Sequence, residues 1–181
     1  MTDKENQVED RVIDALFAKL KANPFAFLTV SEIAAAAGIS RKTFYRHFTG
    51  KTDVARRYLE GLMSGLVDED EQMGDMSFAE GIRHYFVYFQ ASRPRLRLLR
   101  DNGLLDLALP IQNEVFTERF PQLNLPWHGP ELGDERLADL FVVGGLWNVL
   151  ADSLDADSPV DPKRLAVTLM SQVAKRTGKL G

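Results

Sequence analysis

TVSEIAAAAGISRKTFYRHF, residues 29–48, reads as a capped helix, a glycine-centred turn and a second helix rich in basic and aromatic residues. A helix-turn-helix that lays its second helix in the major groove of DNA has this spacing. Thr29 and Glu32 stand three residues apart, the capping-box arrangement in which hydroxyl and carboxylate each satisfy the other's backbone amide. Ile33, Ala34 and Ala37 share one side, and the alanines let a second helix approach closely. Gly38 falls where the chain must turn, so a positive φ is expected there, which glycine tolerates without a Cβ clash. Ile39 is placed to fill the corner, and Ser40 to cap the following helix.

At about 100° per residue, Phe48 falls about 40° from Phe44, so both rings are expected to lock into the core. Lys42 and Arg46 fall about 160° and 200° from Phe44, on the opposite side, with Thr43 beside them. Tyr45 and His47 are expected to flank that outward face. A groove reader needs such a layout, with donors toward base edges and flanking groups toward phosphates. Arg41, in the first turn, can reach either kind of partner. TGKTDV (49–54) opens a further helix, where free amides and the Lys51 ammonium suggest a phosphate site. Residues 39–58 hold six cations against one anion, a local net of +5 in a chain whose total is −4. That local charge outweighs the whole-chain acidity as a guide to partners. An ordinary solvated basic helix shares the charge, but not the cap, turn glycine, plug and paired aromatics together.

From about Val8 to about Leu62, through IAAAAGISRKTFYRHFTGKTDV, the chain closely resembles the DNA-binding domain of the TetR family of one-component transcriptional regulators. The resemblance implies helices at roughly 4–22, 30–37 and 41–48, with a fourth leading out from about 51. It also implies that Tyr45, His47 and Lys51 hold phosphates, while Arg41, Lys42, Thr43 and Arg46 approach bases. With the caps Thr29 and Ser40, these residues form the expected DNA-binding set. Gly50 stands where the family commonly has serine; the missing side-chain cap costs roughly a few tenths of a kcal/mol.

Composition bounds the alternatives. The 181 residues suffice for one compact unit or two small ones, and 45% hydrophobic with 27% charged residues is typical of a folded globular chain. Residues 1–63 are assigned to the helix-turn-helix domain and 64–181 to a second helical domain. The absence of cysteine rules out disulfides and thiolate zinc sites, and fits a reducing compartment. MTDKENQVED is too polar for a secretory signal, and the most apolar run, 140–151, is too short to cross a bilayer, so a cytoplasmic protein without membrane contact is expected. Apolar residues recur at helical spacing with no sustained period of two, which predicts an all-α fold. His47, His84 and His128 lack metal-ligand spacing, and neither a nucleophile elbow nor a phosphate-cradling glycine loop is present. No catalysis, metal or cofactor is expected.

Val8, Val12, Ile13, Leu16, Phe17 and Leu20 form one stripe of the first helix, expected to cover the back of the helix-turn-helix before Pro24 ends it. Residues 64–181 carry twelve cations and eighteen anions, a surface that DNA would repel. DEDEQ (68–72) reads as an exposed helix face. Ser77 and Glu80 form a second capping box, opening a helix with Phe78, Ile82, Tyr85, Phe86 and Phe89 inward. Pro94 starts a basic segment that Asn102-Gly103 closes. Leu104–Phe120 gives a helix or pair broken near Pro110, followed by a proline- and glycine-rich loop, 121–133.

Two last helices are expected to form a dimer surface. Leu137, Leu140, Phe141, Gly144, Trp147, Ala151 and Leu154 recur at three- and four-residue steps; Asp161 with Pro162 opens a second helix carrying Leu165, Leu169 and Val173. Gly144-Gly145 costs a helix about 1 kcal/mol per residue against alanine, which close approach of another helix would offset. Doubled about a two-fold axis, such a pair makes a four-helix homodimer interface, as the TetR resemblance also implies. The resemblance further implies a pocket for an unidentified small-molecule effector, with Tyr85, Tyr88, Phe89, Phe116, Trp127, His128, Trp147 and Asn148 as candidate lining. The function that follows is a homodimeric repressor released from a palindromic operator on double-stranded DNA by that effector. NGLLDLALP with FVVGGLWNVL weakly resembles a Gram-positive subset that includes coactivators, so the alternative is a coactivator or partner-protein-binding regulator without its own operator.

Overall fold

The computed structural model describes residues 3–123, 125, 135–155, 161, 163–165, 167, 168 and 171. Among them every regular element is helical and no strand occurs: α1 (Asp3–Leu20), α2 (Val30–Ala36), α3 (Arg41–His47), α4 (Lys51–Met73), α5 (Phe78–Asp101), α6 (Ala108–Arg119) and α7 (Glu135–Ser153). Short 3-10 turns lie at Phe25–Phe27, Leu105–Leu107 and Phe120–Gln122. The all-α expectation holds. No helix among the described residues is long and apolar enough to cross a membrane.

The chain divides into two compact units. One runs from the N-terminus through Leu62 and includes Pro94–Ile111; the other comprises Met63–Arg93 and the chain from Gln112 onward. In the first of these units Leu96, Leu99, Leu104, Ala108 and Ile111 are buried, and the Arg95 guanidinium donates to Asp14 on α1 at 2.6 Å while lying 4.8 Å from the Phe17 ring centroid. Pro94, at the start of the basic segment, lies inside α5, at the residue where the chain passes from one unit to the other.

In the first unit Val12, Leu16, Phe17 and Leu20 of α1 are buried with Ile33, Ala34, Phe44, Phe48, Val54 and Leu59, so α1 does back the helix-turn-helix. In the second, Ile82, Tyr85, Phe86 and Phe89 of α5 are buried, as are Phe116, Val143, Leu146 and Trp147. Gly65 admits α5 closely there, since a Cβ would stand 2.5 Å from the Tyr88 hydroxyl.

The acidic stretch 68–72 is not uniformly an outer face. Asp70 keeps only 11% of its side chain exposed and lies 3.4 Å from His84 Nε2. Arg119 pairs with its neighbours Asp68 and Glu71. Trp127, His128, Leu169 and Val173 lie outside the described residues.

Candidate nucleic-acid interface

The two caps and the turn glycine of residues 29–48 take their expected geometry. Thr29 caps α2: its hydroxyl accepts from the Glu32 amide at 3.2 Å, and Glu32 Oε2 accepts from the Thr29 amide at 2.8 Å. The Thr29 hydroxyl also donates to Glu32 Oε2 at 2.7 Å, and this bond first, with the Thr29 amide's second, holds the Glu32 carboxyl below its usual range. Gly38 has φ +67°. Its N–H reaches Ala35 O while the Ile39 N–H reaches Ala34 O, the paired closure that ends a helix at a left-handed residue. Ser40 Oγ accepts from the Thr43 amide at 3.0 Å, starting α3.

Phe44 and Phe48 are fully buried, and α3 therefore turns its other side outward. Ser40, Arg41, Lys42, Tyr45 and Arg46 are exposed and Thr43 is half-buried. The Arg41 guanidinium carbon stands 6.0 Å from the Tyr45 ring centroid, which groups a cation and a phenol at the start of the exposed face. This surface offers hydrogen-bond donors on a rigid helix, the requirement for reaching base edges and phosphates.

Two residues depart from their expected places. The His47 side chain is only 7% exposed and points to α1, with Nδ1 3.5 Å from Glu9 Oε1. At about 300° from Phe44 on the wheel it lies nearer the buried side than the groove face, so burial against α1 prevails. Lys51 does not extend to solvent. Its ammonium donates to the carbonyls of Phe25 (2.7 Å), Leu28 (2.8 Å) and Ala26 (3.3 Å), matching its three protons with three acceptors. A phosphate at the start of α4 would meet backbone amides rather than this ammonium. Where a serine cap is lacking at Gly50, the Asp53 carboxylate accepts from the Thr49 amide at 2.8 Å.

Asn102 belongs to this environment although the sequence reading treated it only as a helix-end signal. Its Oδ1 accepts from the Phe25 amide at 2.7 Å, and its Nδ2 donates to Leu98 O at 2.8 Å. No local pattern marks a contact across so long a stretch of chain.

In the second unit, a small cleft is lined by Leu66, Asp70, Tyr85, Phe116, Phe120 and Val143 among others. Tyr85 Oη donates to buried Gln112 Oε1 at 2.8 Å, and Gln112 Nε2 donates to Val143 O. Of the candidate lining residues, Tyr85 and Phe116 stand on this cleft. Phe89 and Trp147 pack into the core with ring centroids 6.4 Å apart. Tyr88 lies beside Gly65, and Asn148 is exposed.

That exposure belongs to a distinct outward face of α7. Leu137 is 60% and Phe141 82% exposed, with Gly145 and Asn148 also open and Leu140, Gly144 and Ala151 half-buried. Trp147 and Leu154, expected on the same stripe, are buried, because the core-facing side of α7 is Val143, Leu146, Trp147 and Leu150. Asp161 Oδ1 accepts from the Lys163 amide, and Leu165 N–H donates to Asp161 O, so a helical turn starts there. Leu165 is half-buried.

The capped pair of helices, their left-handed turn and their cationic outer face define a helix-turn-helix protein. Residues 12–58 match the family model described as bacterial regulatory proteins, tetR family. The chain is similar to the HTH-type transcriptional regulator AlkX of Mycobacterium tuberculosis, 34% identical over 107 residues that make up 55% of this chain. The match spans 51% of that relative's length. The fold resembles that of the TetR family repressor AlkX from Dietzia sp. strain DQ12-45-1b, implicated in biodegradation of n-alkanes, with a TM-score of 0.61 and 21% identity over 94% of this chain and 95% of that one. It also resembles the fatty acid degradation regulator FadR from Bacillus halodurans (TM-score 0.57, 24% identity, 89% and 91% covered). A third likeness is to the dihydroxyacetone kinase operon activator DhaS (TM-score 0.62, 13% identity, 93% and 95% covered).

Proposed function

We propose that this chain is a DNA-binding transcriptional regulator that acts as a homodimeric repressor on a palindromic operator and is released by a small-molecule effector. The observation that carries the DNA-binding part is the division of α3. Phe44 and Phe48 are buried behind it, while Arg41, Lys42, Tyr45 and Arg46 stand free in front. The two caps and the Gly38 turn make this presentation rigid before DNA arrives, so little ordering entropy remains to oppose binding.

The exposed apolar face of α7 supports the homodimer. A large aromatic that is 82% exposed beside an exposed leucine costs free energy unless something covers it. A second copy would also place two recognition helices about one turn of DNA apart, which multiplies weak single-helix affinity. The cleft of the second unit supports the effector, its walls being mostly aliphatic and aromatic with few polar groups. A regulator of this kind works beside the chromosome, in the cytoplasm.

A mobility-shift titration of the full chain against DNA upstream of its own gene tests the reading. Sequence-selective retardation that weakens steeply with salt supports it. Failure to retard that DNA or any duplex from a randomised pool would leave the partner-protein reading instead.

A further inference from the structure

The turn Phe25–Leu28, between α1 and α2, is held by two side chains that come from far along the sequence. Lys51 closes three of its carbonyls with one ammonium, which also lies 4.5 Å from the Phe25 ring centroid. Asn102 takes the Phe25 amide and is itself anchored by its donation to Leu98 O on the last turn of α5. The Phe25 residue is thus gripped at both its N–H and its C=O. Leu28 leads directly into Thr29, the cap of α2, so the gripped turn is the segment that delivers the chain to the helix-turn-helix.

We propose that Lys51 and Asn102 are positioning residues for DNA binding: neither touches DNA, and together they clamp the turn from which the helix-turn-helix takes its aim. The proposal rests on the regulator reading above. The charge geometry separates it from a phosphate role for Lys51. With three protons on three carbonyls, the ammonium has no donor left for a phosphate oxygen.

The test uses the full chain and the tightest duplex recovered from a randomised pool by the wild-type protein, with affinity followed by fluorescence anisotropy from about 50 to about 200 mM salt. Lys51→Met is expected to weaken binding about tenfold while leaving the slope of log affinity against log salt unchanged. A lost phosphate contact would instead make that slope shallower by about 1 per protomer. Asn102→Ala is expected to weaken binding similarly, with Asn102→Asp recovering most of the loss because it keeps the acceptor for the Phe25 amide. Hydrogen exchange at that amide should be slow in the wild type and Asn102→Asp, and fast in Asn102→Ala. Thermal melts establish that each variant is folded; if Lys51→Met is not, the two Asn102 variants decide. A shallower slope for Lys51→Met, or Asn102→Ala binding as tightly as wild type, overturns the proposal. If the wild type itself selects no duplex, the regulator reading falls and takes the clamp's role with it.

Discussion

The Phe44 and Phe48 rings lie 5.4 Å apart on the inner side of α3, both buried to within 1% of full coverage. Phe44 on α3 and Phe48 at its C-cap together fix the rotation of the helix, and that rotation decides that Arg41, Lys42, Tyr45 and Arg46 face out. Removing either ring should therefore damage the fold, whereas removing an outward cation should not. Phe44→Ala is expected to cost about 3–5 kcal/mol, read from urea unfolding of the full chain. A loss below about 1 kcal/mol would mean that the ring does not anchor α3.

Lys42→Ala should leave unfolding unchanged and relax preference at one position of the selected operator by about 1–3 kcal/mol, measured by competition among single-base variants of that duplex. Equal weakening on every duplex would assign Lys42 to a phosphate.

Tyr45→Phe removes only a hydroxyl from a ring that is 51% exposed. If that hydroxyl meets a phosphate, binding should weaken by about 1–2 kcal/mol on all duplexes alike. A changed sequence preference would contradict the assignment.

On α7, Phe141→Glu places a charge on the exposed face without disturbing the core, since Val143, Leu146, Trp147 and Leu150 point the other way. Sedimentation equilibrium should show a dimer for wild type and a monomer for the variant, with unchanged helical content. A variant that still dimerises would place the interface elsewhere.

Burial first, and the Glu69 carboxylate second, push the Asp70 carboxyl up from 3.8 to about 7. His84, facing it at 3.4 Å, is pulled below its usual range by burial, while Glu69 acts to raise it and Arg83 to lower it further. Because the folded state keeps the Asp70 proton that the unfolded chain gives up near pH 4, this contribution is present below about pH 4. It is lost as pH rises to about 7. Asp70→Asn, which carries no titrating carboxyl, should therefore melt higher than wild type at pH 8 and close to it at pH 4. A gap that does not widen with pH would show that Asp70 is ionised throughout.

What the sequence revealed follows the range of the interactions. The caps Thr29 and Ser40, the left-handed Gly38, the paired phenylalanines and the end of α5 at Asn102-Gly103 are set by neighbours within about one or two helical turns. Spacing exposes all of them. His47, Lys51 and Asn102 are different. Their partners are Glu9, the Phe25–Leu28 carbonyls and the Phe25 amide, residues that only the folded chain brings near. A charged or polar side chain beside a basic helix reads as a DNA ligand until its hydrogen bonds are seen. Trp147 misled for a related reason. Both sides of α7 are apolar, so periodicity found two stripes and could not say which one the core takes.

The most direct test of α3 in the major groove is methylation interference at guanine N7, performed on the duplex that the wild-type chain selects. The expected result is two clusters of blocking methylations, centred about 10–10.5 base pairs apart and related by the operator's symmetry. Binding that is indifferent to N7 methylation throughout the selected site would contradict the placement of Arg41, Lys42 and Arg46 against base edges.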